Sequence, residues 1–274
     1  MDGRTNFIIL TNGRSGSNNL VDLLNRHPQI LNYGEVLGPW TTAWRRRGFF
    51  GHSAETGAAV SRYLDGFFDN PAVFYAAQAA AIPSRLSGGR ALNLKRRGKV
   101  AALGLKDFQL MFERRGVADY AVRRDDLKVI GLVRANPVRR FLSSAMLGET
   151  GQVALAPGAA AQTAKLNLSP DKFLEGVMAV DGENRRLDAA LDAAPRERVI
   201  RIEYADYFGD ADRMAEINDN LFSFLGVEPI DARSGHRKLN ARSLKASIEN
   251  YDEIREALGA SPFADDFVRA EIGG

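Results

Sequence analysis

A glycine- and serine-rich loop near the N-terminus is the first stretch whose residue types could do chemistry. It reads TNGRSGSNNL, residues 11–20, and stands between an apolar run and an amphipathic helix pattern. Gly13 and Gly16 permit tight backbone geometry, so the N–H groups of the loop can converge on one anion. A helix beginning near Ser17 would point its positive end at the same place, and Arg14 adds a fixed charge. The segment predicts a phosphate-binding loop, with an ordinary N-capped helix as the alternative.

The end of this loop differs from that of an ATP-binding loop. An ATP-binding loop closes with a lysine and with a Ser/Thr hydroxyl that binds Mg²⁺. Neither closing residue is present here, where the loop ends in Ser17, Asn18 and Asn19. An asparagine amide cannot neutralise a γ-phosphate, although Ser15, Ser17 and Asn18 all supply hydrogen-bond donors. The loop is therefore suited to a phosphate that is bound without a metal.

A second group of anion-binding residue types follows a buried strand pattern. Residues 127–134 read as that strand, and Arg134 ends it. The next helix pattern has a proline at its start and carries Arg139 and Ser143, with Asn136 just before it. An arginine and a hydroxyl together can bind a dianionic phosphate. A surface helix with structural arginines is the alternative.

Together these two motifs resemble the PAPS-dependent sulfotransferases, in particular bacterial members related to trehalose sulfotransferase. The string GRSGSNNLVDLLNRHPQI resembles the family's loop for the 5′-phosphosulfate, and residues 134–143 resemble its 3′-phosphate site. Asn18 stands where the family usually has threonine, and its amide can still donate a hydrogen bond. Residues 103–112 and 238–263 resemble two further segments of the family. The likeness therefore touches both ends of the chain.

The resemblance implies sulfuryl transfer from 3′-phosphoadenosine 5′-phosphosulfate (PAPS) to a hydroxyl of a small-molecule or glycan acceptor. The transfer would be direct and in line, would leave adenosine 3′,5′-bisphosphate (PAP), and would need no metal. Positioning and electrostatics should supply most of the catalysis, as in phosphoryl transfer. The implied donor-binding residues are Arg14, Ser15, Gly16, Ser17, Asn18, Asn19, Arg134, Ser143 and Lys238.

Three residues are the candidates for catalysis. Glu35 follows a short strand pattern, and the related trehalose enzyme uses a glutamate from the corresponding segment, so Glu35 is the predicted base. Arg14 is predicted to stabilise the leaving phosphate, and Lys106 is a second cation for that role. Asp107 is the reserve base, whereas His27 belongs to a His-Pro pair that ends a helix and is interpreted as structural. An ordinary loop carboxylate at Glu35 and a surface lysine at Lys106 are the alternatives.

Alternating strand and helix patterns must position these residues. The strand patterns lie at 7–11, 30–33, 99–108, 127–134 and 198–204. The helix patterns lie at 17–26, 53–69, 137–147, 170–193, 212–225 and 243–258. Continuous apolar strands suit a parallel sheet that is covered on both faces. The chain therefore predicts an α/β fold, which the resemblance makes a P-loop-NTPase-like central parallel sheet flanked by helices. Ligands bind such sheets beyond the carboxyl ends of the strands.

A single domain over residues 1–274 is predicted, because no segment reads as a linker. Residues 36–98 and 147–170 are predicted to shape the acceptor pocket or a lid, because the family varies most there. Trp40 or Trp44 could stack on a sugar ring, although tryptophans more often lie in a core.

Composition excludes several classes of function. The chain has no cysteine, and its three histidines are widely separated, so thiol chemistry is excluded and no zinc site is predicted. Basic residues cluster at 45–47 and 85–99, which suits an anionic acceptor or a solvated surface, without the aromatic interleaving of nucleic-acid binding. No apolar run is long enough for a signal peptide or a membrane span, so a cytoplasmic protein without stable membrane insertion is expected.

Two other functions stay open from the sequence. A nucleotide-dependent phosphotransferase could use a similar fold, although the missing lysine argues against it. A noncatalytic protein could bind polyanions through the basic clusters.

Overall fold

The computed structural model describes residues 3–50, 52, 55–87, 94–150, 165–231 and 243–272. A five-stranded, entirely parallel sheet lies at its centre, in the order β2–β3–β1–β4–β5. The strands are β1 (Thr5–Thr11), β2 (Ile30–Asn32), β3 (Ala102–Phe108), β4 (Leu127–Val133) and β5 (Val199–Glu203). Because β1 is the central strand, the loop that follows it opens at the middle of the carboxyl edge of the sheet.

Helices cover both faces of this sheet. The first seven are α1 (Ser17–Arg26), α2 (Thr42–Arg45), α3 (Ala58–Asp69), α4 (Pro71–Ser87), α5 (Gln109–Arg114), α6 (Tyr120–Arg123) and α7 (Pro137–Thr150). The others are α8 (Pro170–Ala193), α9 (Tyr204–Gly209), α10 (Ala211–Leu225), α11 (Leu244–Ser247), α12 (Tyr251–Gly259) and α13 (Ala264–Ile272). Apolar side chains of α1, α9 and α10 pack on one face, and those of α3, α4, α5 and α8 pack on the other.

The central strands β1 and β4 carry continuous apolar runs because both faces of the sheet are buried there. Along β1, Phe7 and Ile9 join the hydrophobic cluster on one face, whereas Ile8 and Leu10 join the cluster on the other. Successive side chains of a strand point to opposite faces, so a sheet covered on both sides needs an unbroken apolar run. The continuous pattern in the sequence is thus a direct consequence of the two helical layers.

A third hydrophobic cluster lies away from the sheet and joins α7 and α8 to the C-terminal helices α11, α12 and α13. Asn136, just before α7, donates from its side-chain amide to the carbonyl of Asp266 in α13 at 2.8 Å. This cluster holds α7 and α8, two of the helices that contact the loop after β1.

The predicted α/β fold with a central parallel sheet is confirmed, and every predicted strand is present. The prediction of a single helix at 243–258 is wrong. The structure has two helices there, α11 and α12, and an isolated bridge between Leu166 and Ile248 lies between them. The predicted helix patterns do not include α2, α4, α5, α6, α9 or α13. Helix α7 extends to Thr150, so the predicted 147–170 loop begins in helix, and its residues 151–164 lie outside the described ranges.

The predicted insertion at 36–98 is an integral part of the fold. Its residues Val36, Leu37 and Trp44, with the apolar faces of α3 and α4, belong to the cluster that covers one face of the sheet. Among the residues that the structure describes, no helix combines the length and the apolar character needed to cross a bilayer.

A buried lysine offers a test of how β2 is held. Lys95 is 8% exposed, and its Nζ donates to the carbonyls of Asn25 at 2.8 Å, His27 at 2.7 Å, and Ile30. Lys95→Met keeps the apolar stem but leaves these carbonyls without their donor. We expect the free energy of unfolding to fall by about 3 kcal/mol, as for other buried charge-assisted hydrogen bonds.

Urea denaturation would measure this loss. The exposed Lys99, changed to Met, is the matched control and should alter the free energy of unfolding by less than about 0.5 kcal/mol. A similar small change in Lys95→Met would contradict the structural role given to this lysine.

Candidate active site

The loop between β1 and α1 adopts a tight turn with two residues in the left-handed region. Arg14 has a φ of 64° and Gly16 a φ of 79°. A Cβ at Gly16 would lie 2.5 Å from the ring of Phe208, so only glycine fits both the backbone angle and the aromatic neighbour. Gly16 is also the N-cap of α1, and as a glycine it has no side chain that could cap the helix. The turn is therefore not a side-chain-capped helix start, and left-handed residues before a helix also occur in anion-binding turns.

Hydroxyl groups brace this loop from inside. Ser15 is 1% exposed, and its Oγ lies 2.6 Å from Oγ1 of Thr11 and donates to the carbonyl of Asn12 at 2.9 Å. The Ser15 hydroxyl is therefore a structural contact, and this residue can serve an anion through its backbone N–H. Ser17 is buried at the start of α1, whereas Asn18 is exposed and Asn19 is half-buried.

The structure brings the two predicted phosphate motifs together. Arg134 donates from Nη1 to the backbone carbonyl of Arg14 at 3.0 Å, and its guanidinium lies 4.4 Å from the ring centre of Tyr204. Arg14 donates from Nε to Oγ of Ser143 at 3.0 Å. The strand-end arginine, the loop and the helix serine thus form one contiguous group, which we call the arginine cluster: Arg14, Arg134, Arg139, Arg140 and Ser143.

Positive charge in this cluster is poorly solvated. Burial lowers the pKa of Arg134, and the charges of Arg139, Arg14 and Arg140 lower it further, against an opposing effect of Tyr204. Burial likewise lowers the pKa values of Arg14, Arg139 and Arg140. Like charges held together away from water favour the binding of an anion. A bound anion would offset both the burial of the charges and their mutual repulsion.

Arg140 holds the loop in place from α7. It is 2% exposed, and its Nε donates to the carbonyl of Gly13 at 2.9 Å. Its other nitrogens contact Oδ1 of Asn184 at 2.7 Å and the carboxylate of Glu183, both on α8. Asn184 in turn donates to the carbonyl of Arg134 at 3.2 Å. Sequence reasoning missed Arg140 and Asn184, because spacing along a helix does not show which polar residue faces a loop.

A partly buried ion pair forms a second group of candidate residues, at the end of β3. Lys106 is 1% exposed, so it is not a surface lysine, and its Nζ lies 2.5 Å from Oε1 of Glu35. The same Nζ is 4.3 Å from the ring centre of Phe108. The second oxygen of Glu35, Oε2, accepts from the indole N–H of Trp40 at 2.6 Å. Glu35, the predicted base, and Lys106, the second candidate for stabilising the leaving phosphate, are therefore in direct contact.

Asp107, the reserve base, holds the backbone next to Glu35. Its Oδ2 accepts from the N–H groups of Val36 at 2.8 Å and of Leu37 at 2.7 Å. It is 0% exposed, and burial raises its pKa to about 6. These contacts assign Asp107 to fixing the segment that carries Glu35, out of reach of an acceptor in solvent.

His27 is also engaged on both sides of its ring. Nε2 contacts the carbonyl of Glu228 at 3.0 Å, and Nδ1 accepts from the N–H of Gln29 at 3.1 Å. These partners assign the proton to Nε2. The ring is 2% exposed and burial lowers its pKa, which suits a neutral structural histidine.

The two tryptophans differ in their exposure to solvent. Trp44 is 3% exposed, and the guanidinium groups of Arg47 and Arg115 lie 4.3 Å and 3.8 Å from its ring centre. Trp40 is 54% exposed. Of the two, Trp40 is the one that presents a ring to solvent.

Two further predictions concern Lys238 and metals. Lys238 lies outside the described residues. Within the described ranges, no group of three or more His, Asp or Glu side chains converges in a way that could hold a metal ion.

Comparison with known proteins gives one sequence relative and a matching fold. No family model matches the chain. Nodulation protein H of Rhizobium tropici is 26% identical over 266 residues, which is 95% of this chain and 92% of that protein. The crystal structure of a sulfotransferase from Alicyclobacillus acidocaldarius matches with a TM-score of 0.50 at 20% identity, covering 98% of this chain and 95% of that chain. The shared fold therefore extends over almost the whole chain.

The raised pKa of Asp107 predicts a pH dependence of stability. Its folded pKa of about 6 exceeds the ordinary value of 3.8, so the folded chain binds this proton more tightly than the unfolded chain. The contribution to stability is complete below pH 4 and is lost as the pH rises through 6. In Asp107→Asn the free energy of unfolding should lack this contribution to its slope against pH. The contribution amounts to up to about 3 kcal/mol between pH 4 and pH 7.

Urea unfolding at pH 4, 5, 6 and 7 would measure this slope in both proteins. The exposed Asp125, changed to Asn, is the control and should keep the slope of the unaltered protein. An identical slope in Asp107→Asn would show that this carboxyl does not titrate in the range.

Proposed function

We propose that this chain, a member of the sulfotransferase family, transfers the sulfuryl group of PAPS to a hydroxyl of a small-molecule or carbohydrate acceptor. The observation that carries the proposal is the contact of Arg14 with both Arg134 and Ser143. That contact joins a loop without the ATP-type lysine to a second cationic group, as a ligand with two separate phosphates requires.

The arginine cluster supports PAPS over ATP as the donor. PAPS and PAP carry a 3′-phosphate that ATP lacks, and Arg134 with Ser143 offers a guanidinium and a hydroxyl for it. The loop N–H groups and the N-terminus of α1 would hold the 5′-phosphosulfate. Arg14, which contacts Ser143, would lie between the two phosphates and stabilise the leaving one. Lys238 would add a charge to the 3′-phosphate site.

The acceptor reacts on the side of β3. The new bond joins the acceptor oxygen to sulfur, the bond between sulfur and the 5′-phosphate oxygen breaks, and its electron pair leaves with PAP. Glu35 takes the proton of the acceptor hydroxyl. Lys106 holds Oε1 of Glu35 and places a positive charge beside the group in transfer. Asp107 keeps this segment at a fixed distance from the loop.

Ligand-induced thermal stabilisation tests the donor site. We expect PAP to raise the Tm more than adenosine 5′-monophosphate or ATP-Mg²⁺ at equal concentration, because only PAP fills both anion positions. A ligand present at a hundred times its Kd stabilises the folded state by about 2.7 kcal/mol. In Arg134→Ala the advantage of PAP over the monophosphate should disappear.

The control for this substitution is Arg185→Ala. Arg185 is 79% exposed on α8, outside the arginine cluster, and its loss should leave the PAP advantage intact. Equal or greater stabilisation of the unaltered protein by ATP-Mg²⁺ would favour a phosphotransferase over a sulfotransferase.

Glu35→Gln tests the base. The amide keeps the shape of the side chain but cannot accept the acceptor proton, so kcat should fall about 10²- to 10⁴-fold. Stabilisation by PAP should stay unchanged, because Glu35 lies on the acceptor side. The measurement is transfer of label from ³⁵S-PAPS to a panel of sugars, phenols and aliphatic alcohols.

Glu256→Gln is the matched control, since Glu256 is an exposed carboxylate on α12. Full activity of Glu35→Gln would assign the proton to another group. A Glu35→Gln protein that also loses PAP binding would indicate a general structural defect.

A further inference from the structure

Trp40 contacts the predicted base through its polar edge and leaves its ring open. The indole N–H donates to Oε2 of Glu35 at 2.6 Å, while Lys106 holds Oε1 at 2.5 Å. Both carboxylate oxygens are therefore fixed, one by each neighbour. The side chain of Trp40 is nevertheless 54% exposed. A tryptophan placed only for packing would bury its large apolar ring.

The local backbone is shaped to seat this indole. A Cβ at Gly38 would lie 2.4 Å from the indole ring, so the ring packs directly on the Gly38 backbone. The N–H of Thr41 donates to the carbonyl of Gly38 at 2.9 Å, which closes a turn around Trp40. Phe108 lies at a centroid distance of 6.4 Å and a tilt of 43°. The indole is thus held in a fixed orientation beside Glu35, with Gly38 behind it.

We propose that Trp40 is a positioning residue for the acceptor, an inference that rests on the sulfotransferase function proposed above. Its N–H orients Oε2 of Glu35, and its open ring carries an acceptor whose hydroxyl is attached to a flat or chair-shaped ring. A rigid indole supplies a large contact area with little loss of conformational entropy, and its polar edge fixes direction. A flexible aliphatic alcohol gains little from such a surface.

The placement defines the geometry of the proton transfer. An acceptor ring lying on the indole would bring its hydroxyl to Oε2, which keeps a second lone pair beside the Trp40 bond. The acceptor oxygen bonds to sulfur, its proton passes to Oε2, and the sulfur–phosphate oxygen bond breaks with release of PAP. Trp40 gives up no proton in this step, so it acts through Glu35 and through the position of the acceptor.

Two substitutions separate the roles of the N–H and the ring. Trp40→Phe keeps an aromatic face and removes the donor, so kcat should fall about tenfold with KM nearly unchanged, because Glu35 loses one hydrogen bond. Trp40→Ala removes both, so KM for ring-bearing alcohols should rise about tenfold as well. Gly38→Ala displaces the indole without removing it and should reproduce the fall in kcat.

The assay uses ³⁵S-PAPS and three probe acceptors: methyl β-D-glucopyranoside, 4-methylphenol and hexan-1-ol. The two ring-bearing probes distinguish a sugar acceptor from an aromatic one. Tyr75→Ala is the matched control, since Tyr75 is 53% exposed on α4 and should be replaceable without effect. The KM for hexan-1-ol should be the same in all variants, because this probe makes no use of the ring.

A binding measurement covers the case in which none of the probes accepts label. In a Trp44→Phe protein, Trp40 is the sole tryptophan, and either ring-bearing probe should shield its emission from acrylamide in the presence of PAP. Unchanged kcat and KM in Trp40→Ala, an equal rise in the KM for hexan-1-ol, or the absence of shielding by both ring-bearing probes would each overturn the proposal. PAP stabilisation, measured on the same proteins, reports separately on the donor site and on the proposed function.

Discussion

The hydrogen bond from Arg134 to the backbone carbonyl of Arg14 connects the two strands on which the site depends. It connects the end of β4 to the loop after β1. It also places the guanidinium of Arg134 against the backbone of a second arginine, Arg14. Such a concentration of positive charge is unfavourable away from water. Glu183 offsets part of this charge through its contact with Arg140, which also donates to the carbonyl of Gly13 and to Oδ1 of Asn184. An anion bound beside these arginines would offset more of the charge, which is the basis for proposing a doubly phosphorylated donor.

The acceptor half is organised by a different interaction, on the neighbouring strand β3. Lys106 and Asp107 are successive residues, and they hold the segment after β2 in two ways. Lys106 binds the carboxylate of Glu35, while Asp107 accepts from the backbone of Val36 and Leu37. Since β3 is hydrogen-bonded to β1, the distance between the phosphate loop and Glu35 is set by the sheet itself. Rigid strands thus position both groups of candidate residues.

Local sequence patterns predict the strands of the sheet and the loop after β1. The five strands are recognisable because a sheet buried on both faces demands continuous apolar residues, and the loop is recognisable because its glycines stand between a strand and a helix. Other features gave no such signal. Helix α4 lies in an alanine-rich segment with weak periodicity, and the break before α12 depends on a bridge to Leu166, far away in the chain.

The sequence by itself determined the order of the five strands, the glycine-rich loop after β1 and the spacing of the Arg134–Ser143 motif, because these depend on neighbours along the chain. Only the tertiary structure decided that Lys106 is buried against Glu35, that Asp107 is a backbone anchor, and that Arg140 braces the loop. It also shows that Trp40 is the exposed ring and that Trp44 is buried. The physical reason is that burial and ion pairing are set by contacts between distant segments, which residue type and spacing do not encode.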